Sequence, residues 1–153
     1  MASALVAYVH YLAMIAIAVI LVIEHLYCVP GLADGRVRLL ARIDSIYGAA
    51  AILAIATGVA RVVWYGKGYP FYLHNPVFYI KVALFIAVGL LSIPPTLQFL
   101  RWRRSLDAGA KNVAADYQVA RLQRYIRAEI ALFVFIPLMA AIMARGIGLQ
   151  TGQ

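Results

Sequence analysis

Four long apolar stretches dominate this chain, at residues 5–27, 44–65, 76–100 and 124–145. Each exceeds the roughly 20 residues that a helix rising ~1.5 Å per residue needs to cross a hydrocarbon core of ~30 Å. Inside that core no water satisfies backbone N–H and C=O groups, so a spanning segment is either a helix or a strand of a closed barrel. The stretches run continuously and lack the period-two alternation of a barrel strand. The expected fold is therefore all-α, an integral membrane four-helix bundle forming one four-span domain over residues 1–153. Composition agrees, with 65% hydrophobic and 13% charged residues, where a soluble domain has roughly 25% charged. So little polar surface excludes a soluble enzyme, a disordered tail and a collagen-like fibre. No Lys or Arg precedes the first stretch and no small-residue cleavage site ends it, so it reads as a retained span rather than a secretory signal.

The 14 Lys and Arg against 6 Asp and Glu are distributed unevenly. Arg36, Arg38 and Arg42 lie in the first loop, and Arg101, Arg103, Arg104, Lys111, Arg121 and Arg124 in the third. The second loop has only Lys67 and the N-terminus has none. Basic residues concentrate on the cytoplasmic side of membrane proteins, which predicts a multi-pass protein of the bacterial inner membrane. Loops one and three are then cytoplasmic and both termini periplasmic. The basic charges find a partner in the lipid bilayer, and no reading module pairs them with nucleic acid.

Several boundaries are legible. Asn75-Pro76 is a helix start, with Asn capping free N–H groups and Pro fitting the first helical position. Gly66, Gly68 and Pro70 end the second span, and Gly146 and Gly148 the fourth. Pro94-Pro95 predicts a kink or an end in the third helix, and Pro137 a milder bend in the fourth. Val113, Val119, Leu122 and Ile126 recur at helical spacing, predicting a long fourth helix that begins near Asn112, extends into the cytoplasm and reaches ~50 Å. The aromatics Tyr8, Tyr11, Trp64, Tyr65, Tyr69, Phe71, Tyr72, Phe78 and Tyr79 form an outer interfacial belt, with Tyr27 and Trp102 at the inner interface. The single cysteine, Cys28, excludes an intrachain disulfide, a CxxCH haem attachment and a cysteine zinc cluster. It reads as a small residue at a helix end or as an acylation site.

An ionisable group near mid-membrane costs about 2.5–3.5 kcal/mol on insertion scales, so each one asks for a partner or a task. Counting from the span ends sorts these groups into two layers. His10, Arg61 and Lys81 fall one to two turns inside the outer boundary, on three different helices, with His74 just above them. Glu24, His25, Asp44, Arg127 and Glu129 gather at the inner boundary, joined by Gln98. On the first helix His10 and Glu24 differ by about −40° and His10 and His25 by about +60°, so both layers face one sector. The inner layer, with carboxylates opposite His25 and Arg127, reads as a self-neutralising network, or as a proton path or second cofactor site using His25. The outer layer has cations and no acid, which calls for a bound anion. Lipid phosphate is one candidate. Haem b is the other, with His10 and His74 as axial metal ligands and the propionates meeting Arg61 and Lys81.

The runs Val9-His10-Tyr11-Leu12, Glu24-His25, Asp44-Ser45-Ile46-Tyr47-Gly48, Gly58-Val59-Ala60-Arg61, Gly66-Lys67-Gly68 and Phe71-Tyr72-Leu73-His74-Asn75-Pro76, with Lys81 and Leu91-Ser92-Ile93-Pro94-Pro95-Thr96, form one pattern over nearly the whole chain. It resembles a family of bacterial four-span membrane proteins of unknown function. More distantly, the His early in helix one and the Lys early in helix three are similar to the copper-resistance D-like group, which includes a haem b protoporphyrinogen oxidase. That resemblance implies a haem-binding role for His10 and a catalytic one for Lys81. In that oxidase a His lies very close before the Lys, whereas His74 is seven residues before Lys81 and beyond Pro76. The sequence thus predicts a haem b-binding membrane protein in electron transfer or in oxidation of a quinol- or porphyrinogen-type substrate. The alternative is a non-catalytic accessory subunit of a larger membrane complex, and a homo-oligomer is a further possible assembly.

Overall fold

The computed structural model describes residues 1–65 and 69–145. Gly66, Lys67, Gly68, Gly146 and Gly148 lie outside the described residues, as do the side chains of Tyr69 and Pro70. Helix α1 is Ala2–Tyr27 and α2 is Asp34–Ala60, prolonged by a π-helical turn over Arg61–Tyr65. A one-turn α3 at Tyr69–Leu73 leads into α4, Pro76–Asp107. The last limb is α5, Asp116–Phe133, continued by α6, Phe135–Ala144. Among the described residues four limbs are long and apolar enough to cross a bilayer: Ala2–Tyr27, Asp34–Tyr65, Pro76–Asp107 and Asp116–Ala144. The chain is an all-helical, multi-pass membrane protein.

Two of these limbs have 32 residues, about 48 Å at 1.5 Å per residue, so each outruns a ~30 Å hydrocarbon core by some three turns. The excess lies at the end carrying the arginine-rich connections, called here the basic end. The sequence places the second span at 44–65, but the helix starts ten residues earlier, at Asp34. Val37, Leu40 and Ala41 of this extension are fully buried while Arg36, Arg38 and Arg42 are exposed. An amphipathic face, not a loop, carries these arginines. The third limb likewise continues past residue 100 to Asp107.

Two apolar cores follow. One, at the basic end, joins Cys28, Leu32, Val37, Leu40, Phe99, Trp102, Leu106, Val119, Leu122 and Ile126. The second fills the rest of the bundle with Ala13, Ile17, Leu21, Tyr47, Ala54, Val88, Phe133 and Ile136. Their outer surfaces differ. Arginines cover the first, whereas Ile15, Val19, Ile52, Ile55, Ile86 and Leu90 are exposed around the second, where they meet lipid. Trp102 belongs to the first core and not to an interfacial belt. It packs against Phe99 at 6.1 Å between centroids, and its indole N–H donates to Gln118 Oε1 at 3.3 Å.

The two basic-end connections are tied to each other. Gly31 N–H donates to Asp116 Oδ1 at 2.7 Å and Asn112 N–H to Asp34 Oδ2 at 3.1 Å. Arg38 pairs with Asp107. Helix α4 ends on a glycine with φ +89°, Gly109, whose N–H meets Leu106 O while Ala110 N–H meets Ser105 O. That paired closure satisfies the last carbonyls and requires the left-handed backbone glycine adopts freely.

Asn75 caps α4 as the sequence predicts, its side chain accepting from Val77 N–H at 2.9 Å. Other boundaries are corrected. The last limb starts at Asp116, not near Asn112, because Asn112 sits at φ +52° in a conformation no right-handed helix uses. Val113 still packs on the core, but from the connection. Helix α4 passes through Pro94 and Pro95 without ending; each proline removes one donor, and the helical bonds on either side persist. Pro137 acts one turn upstream. It cannot donate to Phe133 O, and the limb is interrupted at Val134, between α5 and α6.

Cys28 is fully buried, and burial pushes its thiol up to about 12. Since the thiolate is the reactive form, the folded protein should resist maleimide at neutral pH and label only after unfolding in SDS. Native labelling as fast as that of an exposed thiol contradicts this packing.

Candidate functional site

At the end opposite the basic one, the limbs enclose a cavity of about 960 Å³, near the upper end of the ~300–1,000 Å³ common for ligand pockets. His10 of α1, Arg61 and Tyr65 of the π turn, and Lys81 of α4 all line it. The remaining wall is apolar or aromatic, including Met14, Ile55, Phe71, Phe78, Phe85 and Met143. Three of the four outer-layer residues predicted from sequence thus share one cavity. His74 does not line it; it is exposed, in the turn between α3 and the Asn75 cap. Tyr11, Tyr65, Phe71, Tyr72 and Phe78, expected in an interfacial belt, line the cavity instead.

His10 is 7% exposed and rests on α2. Its Nδ1 lies 3.1 Å from Ala54 O and 3.0 Å from Thr57 Oγ1. A carbonyl only accepts, and the Thr57 hydroxyl proton is already directed to Leu53 O at 2.6 Å. Nδ1 must therefore be the N–H, shared between two acceptors, and Nε2 carries the lone pair in the neutral ring. Nε2 has no hydrogen-bond partner among the described residues. Gly58 packs beside the ring, where a Cβ would stand 3.4 Å from His10 Cε1, an ordinary contact distance.

The Arg61 guanidinium lies 5.1 Å over the Tyr11 ring and reaches its hydroxyl at 3.5 Å. Neither Arg61 nor Lys81 is within ion-pair distance of a carboxylate among the described residues. The π turn that begins at Arg61 adds a residue to the helical turn and so re-aims the side chains after it toward the cavity.

Nearer the basic end, three carboxylates converge. Glu24 of α1 is 3% exposed, Asp44 of α2 5% and Glu129 of α5 1%. Thr96 Oγ1 donates to Asp44 Oδ1 at 2.7 Å, and the Tyr47 hydroxyl donates to Glu129 Oε2 at 3.3 Å. Glu24 Oε1 and Glu129 Oε1 are buried without a partner, as is Nδ1 of half-buried His25. Arg127 is exposed and forms no ion pair with them among the described residues. The self-neutralising network expected from sequence is not there. The α4 contribution is Thr96, not Gln98. Among the described residues no group of three or more His, Cys, Asp or Glu could hold a metal ion. A second cavity of about 110 Å³ separates this cluster from the large one; Tyr47 and Ser92 line it, and Ile55 and Phe85 line both cavities.

A family profile described as "Predicted membrane protein (DUF2214)" matches residues 2–148. The chain belongs to the DUF2214 family. No curated protein and no solved structure matches it. Membership in DUF2214 upholds the resemblance to an uncharacterised membrane family, while the likeness to the copper-resistance D-like group finds no support in these comparisons.

Sequence reading of this DUF2214 chain missed the supporting hydroxyls. Thr57 fixes the His10 ring, Thr96 partners Asp44 and Tyr47 partners Glu129. Tyr47 was detectable, since it stands three residues from Asp44 and residues at that spacing share a helix face. Thr57 was not, because a hydroxyl bonded to its own preceding turn is the ordinary state of a helical Thr.

Proposed function

We propose that this chain is a haem b-binding protein of the bacterial inner membrane, acting in electron transfer or in oxidation of a quinol- or porphyrinogen-type substrate. One observation carries the reading: His10 gives its only N–H to α2, leaving Nε2 as a lone-pair nitrogen on a residue that lines the large cavity. Metal-ligating histidines are held this way, with the far N–H donated to a backbone carbonyl or carboxylate. The cavity's apolar wall suits a porphyrin face, and Arg61 and Lys81, unpaired with protein carboxylates, suit its propionates or an anionic substrate. The residues therefore fit the group. Haem supplies the redox chemistry when bound. His10 would hold the iron, Arg61 and Lys81 would bind the propionates or an anionic substrate, with Lys81 in the catalytic role, and the aromatic wall would exclude water. His74, off the cavity wall, is not carried forward as second ligand.

The charge asymmetry supports an orientation with both termini periplasmic and the basic end, with the last limb's extension, in the cytoplasm. The absorbance spectrum of protein purified from a membrane host tests the reading. A Soret band that shifts with dithionite is expected. Its absence, after haem has also been offered to the purified protein, refutes it.

The exposed arginines of the basic end favour a second reading, a non-catalytic accessory subunit docked through Arg101, Arg103 and Arg104. Stoichiometric partners that are lost when these three are neutralised support that reading; purification of the chain alone, spectrum intact, counts against it.

A further inference from the structure

The carboxyl cluster is built into the bundle yet has no cation. Glu24 and His25 come from α1, Asp44 and Tyr47 from α2, Ser92 and Thr96 from α4, and Glu129 from α5. Three unpaired negative charges at this burial cost several kcal/mol each. Hydroxyl donors from Thr96 and Tyr47 reach two of the carboxylates, and no Lys or Arg among the described residues is within ion-pair distance of any. Metal binding is not supported by the spacing. Neutrality then requires protons, and the buried, partnerless Glu24 Oε1 and Glu129 Oε1 are the atoms free to hold them.

The cluster also has a connection. The small cavity, about 110 Å³, has room for about three waters at ~30 Å³ each, with Tyr47 and Ser92 to bond them. It abuts the large cavity across Ile55 and Phe85. We propose that Glu24, Asp44 and Glu129 form a proton store that exchanges with the large cavity through Tyr47 and water in the small one. The assignment of a proton-releasing substrate to the large cavity rests on the function proposed above; the store and its connection do not. In one transfer, an excess proton arriving from the large cavity on the small cavity's water passes to the Tyr47 oxygen as the Tyr47 hydroxyl proton passes to Oε2 of ionised Glu129, so the water is left neutral. One O–H bond breaks and one forms at each step, and no electron moves.

Infrared spectra of the purified protein, with or without haem, test this. At neutral pH a protonated-carboxyl C=O band is expected that shifts in D2O, weakens in Glu24→Gln and Glu129→Gln, and persists in Glu129→Asp. Absence of the band, or a band unchanged in both Gln variants, overturns the store. On transfer to D2O, Tyr47→Phe should slow exchange of the Glu129 component several-fold, with circular dichroism unchanged; an unaltered rate overturns the connection. Since neither readout needs haem, a missing Soret band and a failed proton store are separate results.

Discussion

Replacing His10 with Ala should remove the visible absorbance of the purified protein, while His74→Ala leaves it intact. The contrast follows from position. His10 lines the cavity with Nε2 uncommitted, whereas His74 is exposed outside it. Both substitutions delete an imidazole, so a general effect of losing a histidine would strike both. A graded variant sharpens the test. Thr57→Val keeps the shape of residue 57 but removes one of the two acceptors on Nδ1. Loss of such an outer partner typically costs about 10–100-fold in metal affinity, and the Ala54 carbonyl remains, so the effect should fall at the low end. The expected order is therefore His10→Ala far below Thr57→Val, with His74→Ala equal to the native protein. Haem titration followed at the Soret band measures it. Loss of binding in His74→Ala with retention in His10→Ala would falsify the assignment.

Depth along the helices was legible from sequence, and rotation and end structure only in part. Counting residues from the span ends at 1.5 Å each put His10, Arg61 and Lys81 in one layer, and the structure seats them in one cavity. The inner carboxylates were found the same way. Arg127 was misassigned although its face was readable. It stands two residues from Glu129, and at ~100° per residue the two project to nearly opposite sides of α5. His74 was legible only in part: the Asn75-Pro76 start placed it outside the third helix, but no periodicity encodes the one-turn helix before it. Trp102 was misplaced for a third reason. The belt rule assumes that helices end at the interface, and α4 instead runs on to Asp107 and folds the basic-end core around the indole.

That basic-end core should dominate stability, and a matched pair of substitutions isolates why. Leu40 and Leu21 are both almost fully buried, at 0% and 1% exposure, so Leu→Ala removes the same atoms at each. Their reference states differ. Leu40 lies between exposed Arg38 and Arg42, in a helical extension that unfolds into water. Leu21 lies within α1, whose outer face is Val19, Val22 and other apolar residues, and a separated α1 keeps that side chain in lipid. Lipid tails are as apolar as leucine, so packing in the bilayer gains contacts but no transfer from water. Leu40→Ala loses both the transfer and the cavity contributions, about 2–5 kcal/mol. Leu21→Ala loses the cavity part alone, about 1–3 kcal/mol. Equilibrium unfolding in mixed SDS micelles should place Leu40→Ala clearly below Leu21→Ala. Equal losses, or the reverse order, would mean that the extension is not a water-side core and that the basic end lies deeper in the membrane than its arginines indicate.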